Sequence, residues 1–176
     1  MTLEAFADTI VPGEKRHPDD HAIAGVSTGG GAVTSGALEL LSHPAGGLAD
    51  VLEPLSMGLN AQAAGYAQAQ SLALDEALPP FVALPFEHRT ALVQQLVGPE
   101  NPEKGMWVGL ALFSNMAFDS AAHISTADAL AAGHPGLLTI GYAPPGPDRL
   151  WRFEPASYGR PLAPMHPHTT ASGSPA

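Results

Sequence analysis

The chain has 176 residues, of which 17 are acidic and 7 basic, for a formal net charge of −10 at pH 7. This balance argues against nucleic acids and anionic membranes as partners, because both are bound through basic surfaces. Cysteine is absent, which excludes a disulfide framework, a thiolate nucleophile and a cysteine-based zinc site.

The apolar residues follow helical spacing over most of the chain, and a chain of this length usually forms one domain. The predicted elements, in order, are a helix at 3–10, a loop at 14–30, a helix at 32–41, a helix from 48 to about 67, an extended segment at 81–85, a helix at 85–97, a central helix at 103–120 and a helical turn at 126–131. Pro54 lies inside the third helix, so it predicts either a kink or a restart there.

The central helix is predicted from the run Gly105 to Phe118, GMWVGLALFSNMAF, which carries no charged side chain. Its apolar residues point all the way round a helix, and such a helix is expected to be buried on every face. The run is too short to span a bilayer, which takes ~20 apolar residues. We therefore expect an all-α domain of about five helices around this central helix.

The last part of the chain has little periodicity, so we expect a domain at 1–147 and a long irregular arm at 148–176. Aromatic residues alternate with arginines in this arm, and both are enriched in the cores of protein–protein interfaces. The predicted partner-binding residues are Arg149, Trp151, Arg152, Phe153, Tyr158, Arg160, His166 and His168.

Three stretches together resemble the small subunit called gluconate 2-dehydrogenase subunit 3. They are LEAFADTIVPG near the start, FVALPFEHRTALVQQL at 81–96 and GLLTIGYAPPGP at 136–147. The residues that carry the resemblance are Phe6, Asp8, Thr9, Pro12 and Gly13, then Phe81, Leu84, Arg89 and Leu92, then Ile140, Gly141, Tyr142 and Pro144.

The resemblance implies a helical accessory subunit that binds a large flavoprotein of the glucose–methanol–choline class. Such a subunit would have no redox centre or cofactor of its own, and FAD would belong to the partner. Many members of that family carry a twin-arginine signal, whereas this sequence opens with the first predicted helix. We therefore expect a cytoplasmic hetero-oligomer without membrane insertion.

The alternative from another class is a small metal-dependent enzyme that uses His17, Asp20 and His21. On a helix the two histidines would share a face, as in zinc sites. Pro18 and the charged neighbours instead favour a solvated loop. The pair His166 and His168 flanks a proline and lacks a clear third ligand. A third alternative is a helical domain that assembles with copies of itself.

Other candidate residues favour structural roles. Ser114, Asp119 and His123 lack the G-x-S-x-G elbow that a serine nucleophile on a strand-to-helix turn would show. His88 and His123 stand singly, as hydrogen-bonded structural histidines commonly do. Asp8 precedes the Pro12-Gly13 turn, where its carboxylate is expected to accept backbone N–H groups and hold the loop.

Overall fold

A computed structural model describes residues 1–142 of the chain, together with Pro147 and His168. The chain divides into two units, Met1–Tyr142 and Ala143–Ala176. Residues 1–142 contain helices and no strand, which confirms the predicted all-α fold. The helices are α1 (Thr2–Ile10), α2 (Ala37–Leu41), α3 (Leu52–Ala69), α4 (Pro80–Ala83), α5 (Phe86–Val97), α6 (Lys104–Ser120), α7 (Thr126–Ala131) and α8 (Pro135–Thr139). Two 3₁₀ turns, Pro44–Gly46 and Ala49–Val51, lie between α2 and α3.

Helix α6 is the centre of the fold, as predicted, and packs chiefly against α2, α8, α1 and α5. Its Trp107 and Leu110 lie in the main hydrophobic core beside Phe6, Leu59 and Phe81. Each large apolar side chain that is fully buried stabilises the fold by about 1.5–3 kcal/mol relative to an exposed one. Within residues 1–142, no helix has both the length and the apolar character needed to cross a membrane.

Two helical predictions need correction. The second helix begins at Ala37 rather than at Ala32, because Gly36 adopts a left-handed conformation with φ of 87° that interrupts the helix. Residues Pro80–Ala83 form the short helix α4 rather than an extended segment. Proline at its first position has a φ already suited to a helix, which explains the difference. Pro54 marks a restart, since it lies in the first turn of α3.

The loop after α1 is held by a buried carboxylate. Asp8 is 1% exposed and accepts hydrogen bonds from the backbone N–H groups of Gly13 (3.0 Å) and Ala24 (2.8 Å). This arrangement confirms the loop-holding role predicted for Asp8. Burial raises the pKa of the Asp8 carboxyl, and the two N–H donors and the positive charge of Arg89 oppose that shift.

Arg89 reaches from α5 to the same loop. It is 5% exposed and donates to the carbonyl oxygens of Leu84 (2.9 Å) and Ala22 (2.9 Å). Its second terminal nitrogen donates to the carbonyl oxygens of His21 and Val82. Burial lowers the pKa of the guanidinium, and the nearby Asp8 charge raises it. One side chain therefore fixes the loop against the turn between α4 and α5.

Candidate partner-binding surface

The outer side of α6 is exposed and apolar. Leu112 is 56% exposed, Met116 40% and Val108 36%. At 100° per residue these three side chains lie within an arc of about 80°, on the side opposite to the buried Trp107 and Ser114. The prediction that this helix is buried on every face is therefore wrong. Apolar residues on all sides of α6 reflect a core on one side and an uncovered surface on the other.

A groove separates the first turns of α6 from the start of α3. It encloses a cavity of about 460 Å³, within the range of ~300–1,000 Å³ typical of ligand pockets. Its lining is apolar: Leu48, Val51, Pro54, Leu55 and Gly58 on one side, and Gly105, Met106, Trp107, Gly109, Leu110 and Phe113 on the other. We call this feature the α3/α6 groove. It adjoins the exposed face of α6, because its lining residue Gly109 lies only about 20° round the helix from Met116.

The backbone conformation does not require glycine at the three glycine positions of the groove. Gly58, Gly105 and Gly109 lie inside helices and have no positive φ. An added Cβ would meet nothing within 4 Å at Gly105 or Gly109, and only the edge of the Trp107 ring, at 3.9 Å, at Gly58. Glycine in a helix costs about 0.8–1.0 kcal/mol relative to alanine. The absence of side chains at these positions therefore leaves the helix surface recessed, and the packing of residues 1–142 does not require it.

Four acidic residues stand close in sequence to the residues that line the groove. Asp50 and Glu53 adjoin the lining residues of α3, and Glu100 and Glu103 precede those of α6. All four are exposed, and Lys104 is the basic residue beside them. No ion pair involves any of these five side chains within residues 1–142.

The predicted metal candidates are not assembled into a site. His17 and His21 are exposed, whereas Asp20 is 3% exposed and faces Arg16. The Arg16 guanidinium donates to both Asp20 carboxylate oxygens, at 2.7 and 3.1 Å. These hydrogen bonds hold the pKa of Asp20 at about 2. Asp20 is therefore committed to an ion pair, and among residues 1–142 no group of three potential ligands could hold a metal ion.

His123, which the sequence analysis considered singly, lies beside His134. The rings of His123 and His134 are 6.1 Å apart between centroids. His134 accepts the Leu137 N–H at Nδ1 (3.3 Å), so its Nε2 carries the hydrogen that is donated to the Ser35 carbonyl (2.9 Å). Burial lowers the pKa of His123, whose ring fills the space over Gly36. Both imidazoles therefore fix the turn before α2 and the start of α8.

The serine and histidine candidates for nucleophilic chemistry are also in structural roles. Ser114 is buried and donates to the carbonyl of Leu110, 2.9 Å away within its own helix. Asp119 accepts from Asn115 at 2.7 Å on the exposed side of α6. His88 pairs with the hydroxyl of Tyr66 at 3.1 Å. None of these contacts joins a nucleophile to a base.

Most of the predicted partner-binding residues lie outside the described residues. These are Arg149, Trp151, Arg152, Phe153, Tyr158, Arg160 and His166. His168 is described and is exposed at a turn. The arm therefore stays a prediction, and the α3/α6 groove, with the exposed face of α6, is the candidate surface that the structure adds.

Motif residues from the first two stretches of the resemblance lie in the scaffold, whereas Ile140 and Tyr142 of the third are 49% and 41% exposed. Phe6, Asp8, Phe81, Leu84 and Arg89 are all buried. They hold α1, α4 and α5 together instead of lining a cavity. No curated protein and no solved structure matches the chain in the comparisons made. A model of the family of unknown function DUF5987 matches residues 1–176, and the chain therefore belongs to the DUF5987 family.

Proposed function

We propose that this chain is a non-catalytic small subunit that binds a large FAD-dependent oxidoreductase of the glucose–methanol–choline class. In this role it supports the folding, flavin loading or activity of its partner. FAD belongs to the partner in this proposal, and the cytoplasm is the compartment that we propose for the complex. The identity of the partner rests on the sequence resemblance, and the binding role rests on the surface.

The observation that carries the proposal is the uncovered apolar face of α6. Monomeric proteins leave single apolar side chains exposed, but contiguous apolar patches commonly mark sites of protein association. Here Val108, Leu112 and Met116 follow one another along one side of the central helix. Covering them with a partner would remove apolar surface from water, at about 25 cal/mol per Å² of apolar area.

A reaction centre has less support than a binding surface. In the metal-enzyme alternative Asp20 would have to leave Arg16, which contacts both of its carboxylate oxygens. Ser114 is bonded to its own helix, and His134 uses both ring nitrogens within the fold. No specific observation favours the enzyme alternative.

The test is co-expression of the full chain with a glucose–methanol–choline-type flavoprotein from its own organism. We expect the two proteins to purify together and the flavoprotein to gain soluble yield and flavin content. Leu112→Glu should lower the recovered complex by roughly tenfold, the equivalent of about 1.4 kcal/mol. The matched control is Leu138→Glu, because Leu138 is similarly exposed but lies on α8.

Two results would contradict the proposal. One is a flavoprotein that reaches full solubility and flavin content without this chain. The other is turnover by the isolated chain after metal removal, with no flavoprotein present. Deleting residues 148–176 tests the arm separately. Unchanged co-purification and flavin loading would show that the arm is not part of the interface, and the face of α6 would remain as the proposed contact with the flavoprotein.

A further inference from the structure

The segment after α6 is attached to the rest of the helical unit by few apolar contacts. It comprises residues 121–139, with α7 and α8, and we call it the α7/α8 segment. Its hydrophobic cluster consists of the buried residues Ala121, Ala129 and Leu137, of which two are alanines. Segments with few buried apolar contacts open locally at a lower free energy than the core does. The polar contacts of this segment therefore have a large share in holding it closed.

His134 connects the α7/α8 segment to the turn before α2. Its side chain is buried. Its Nδ1 accepts the Leu137 N–H at the start of α8 (3.3 Å), and its Nε2 donates to the carbonyl oxygen of Ser35 (2.9 Å). The second of these hydrogen bonds joins residues 99 positions apart in the chain. One imidazole therefore couples the beginning of α8 to the turn before α2.

His123 lies beside His134 and is held there by its shape. A Cβ added to Gly36 would lie 2.4 Å from both Cε1 and Nε2 of the His123 ring. The ring therefore occupies the space that a side chain at position 36 would need. Within residues 1–142, the Nδ1 atom of this ring is buried and has no hydrogen-bond partner. Packing, and not hydrogen bonding at Nδ1, fixes the ring in the gap between Gly36 and His134.

Protonation of His123 is unfavourable in this packing. An imidazolium carries N–H groups at both ring nitrogens. The buried Nδ1 would then be a charged donor without an acceptor in the described part of the chain. An unpaired charge away from water costs far more than a neutral polar group does. Burial accordingly lowers the pKa of His123 below its ordinary value of 6.5.

Three other titratable groups face His123. Glu39 on α2 raises the pKa of His123, whereas His134 before α8 and His43 after α2 lower it. Glu39 and His43 are exposed, so water and salt screen their charges. Burial is the largest of these causes, and Glu39 is the group that opposes it.

We infer that His123 and His134 form a pH-sensitive switch, which holds the α7/α8 segment against α6 and the turn before α2 while His123 is neutral and lets the segment open when His123 takes up a proton. The step is the binding of one solvent proton to a ring nitrogen of His123, and no other bond forms or breaks covalently. Opening would expose the cluster around Leu137 and the part of α6 against which α8 packs. The inference goes beyond the proposed function and does not depend on the identity of any partner.

The direction of the pH dependence follows from the burial of His123. Because its pKa is lowered in the closed segment, the open form binds the proton more readily. The closed form is therefore fully favoured above the ordinary pKa of 6.5 and loses stability as the pH falls below that value. The ion pair of Asp20 with Arg16 responds at lower pH, since the pKa of Asp20 is about 2.

The test combines two measurements on the full chain between about pH 8 and about pH 5. Nuclear magnetic resonance of the histidine Cε1–H groups, with His123 assigned by substitution, should show that His123 titrates below its ordinary value. Hydrogen exchange read by mass spectrometry should show that protection of residues 121–139 falls by roughly fivefold or more over this range, after correction for the intrinsic exchange rate at each pH. Protection of α5 should stay unchanged.

A matched pair of variants assigns the effect to His123. His123→Phe keeps an aromatic ring over Gly36 but has no nitrogen to protonate, so the α7/α8 segment should stay protected in acid. His17→Phe makes the same change at an exposed loop histidine and should leave the loss of protection in acid as large as in the wild type.

A second pair changes the charge that faces His123 and leaves the ring in place. Glu39→Gln removes the group that favours the imidazolium, so the loss of protection in acid should become larger. Glu53→Gln, at an exposed position of α3, provides the control. A merely structural His123 would show no difference between these two variants. This pair and the titration of the wild type decide the question even if His123→Phe does not fold.

Several outcomes would overturn the inference. They are titration of His123 at its ordinary value, protection of residues 121–139 that does not change with pH, and an equal loss in His123→Phe. A loss of protection that extends equally to α5 would show unfolding of the whole unit and would also reject the switch. Failure of the chain to purify with a flavoprotein would contradict the proposed function and leave this inference standing.

Discussion

Two sides of the helical unit differ in the groups that they place unfavourably: one buries charges, and the other exposes apolar side chains. On one side, Asp8 and Arg89 are buried charges, and each is matched by hydrogen bonds that fix the loop between α1 and α2. On the other side, Leu112 and Met116 are apolar groups left in water, and Gly109 weakens the helix that carries them. The first side is organised for stability. The second retains surface and open space that stability alone does not require, which is the pattern expected of a site for another molecule.

The largest loss of stability should follow from replacing a buried charge. Arg89→Met keeps an apolar stem but leaves the carbonyls of Leu84, Ala22 and Val82 without their donor and Asp8 without its nearby cation. Removing one partner from such a buried network typically costs about 3–5 kcal/mol. We expect a loss of that size in urea unfolding.

Arg89→Lys and Lys104→Met are the comparison variants for this measurement. The lysine variant should recover little of the loss, since one ammonium cannot reproduce the planar fork that reaches four carbonyls. Lys104→Met removes an exposed cation and should change the free energy of unfolding by less than about 0.5 kcal/mol. A fully stable Arg89→Met protein would show that Asp8 and the backbone contacts of the loop hold it without Arg89.

The next effect is a pH dependence that originates at Asp20. Its pKa is about 2 in the folded chain, below the ordinary value of 3.8, because Arg16 donates to it. The unfolded chain therefore binds the proton more readily, and the stabilisation is present above about pH 5 and lost as the pH falls toward 2. Because Arg16 is 37% exposed and screened by solvent, we expect about 1–2 kcal/mol.

Unfolding of the wild type and of Asp20→Asn between pH 7 and pH 2 measures this contribution. The variant should lose stability at neutral pH and show a flatter decline in acid. Parallel curves for the two proteins would mean that other carboxylates set the acid sensitivity. Asp8 cannot produce such a decline, because burial raises its pKa and its contribution to stability then increases as the pH falls.

Sequence reasoning found the elements whose cause is local. Pro54 predicted either a kink or a restart, and α3 begins two residues before it; the run around Trp107 predicted the central helix. It found Asp8 as a loop-holding residue because the Pro12-Gly13 turn follows within hydrogen-bond reach. These features depend on neighbours in the chain, so one sequence contains the information that they require.

The features that sequence reasoning missed depend on distant neighbours. The Arg89 hydrogen bond to Ala22 joins residues 67 positions apart, and nothing near Arg89 in the sequence signals that carbonyl. The pairing of His123 with His134 similarly depends on how α8 returns to the core. Periodicity also cannot tell which apolar residues of α6 are covered, because it reports side-chain chemistry and not the presence of a packing partner. The glycines at 105 and 109 were the available signal, since a helix without a use for them would favour alanine.

A smaller effect of the opposite sign should come from the groove. Gly109→Ala adds a methyl group that meets nothing within 4 Å, and alanine favours the helix by about 0.8–1.0 kcal/mol. We expect a gain of that order in the free energy of unfolding and a loss of affinity for the partner. Gly65→Ala should give the same gain with affinity unchanged. A gain in both stability and affinity at position 109 would remove close approach as the reason for this glycine.

The smallest effect on stability should come from the exposed face, where the effect on binding is expected to be large. Leu112→Glu replaces a side chain that is already mostly in water, so the free energy of unfolding should change by less than about 0.5 kcal/mol. Two residues earlier in the same helix, Leu110 is 3% exposed, and Leu110→Ala should cost about 2–5 kcal/mol. Chemical denaturation of both variants, beside their recovery with the flavoprotein, separates the two sides of α6. If Leu112→Glu destabilises the isolated chain as strongly as Leu110→Ala, the outer face is part of the folded core and the reason for assigning it to a partner disappears.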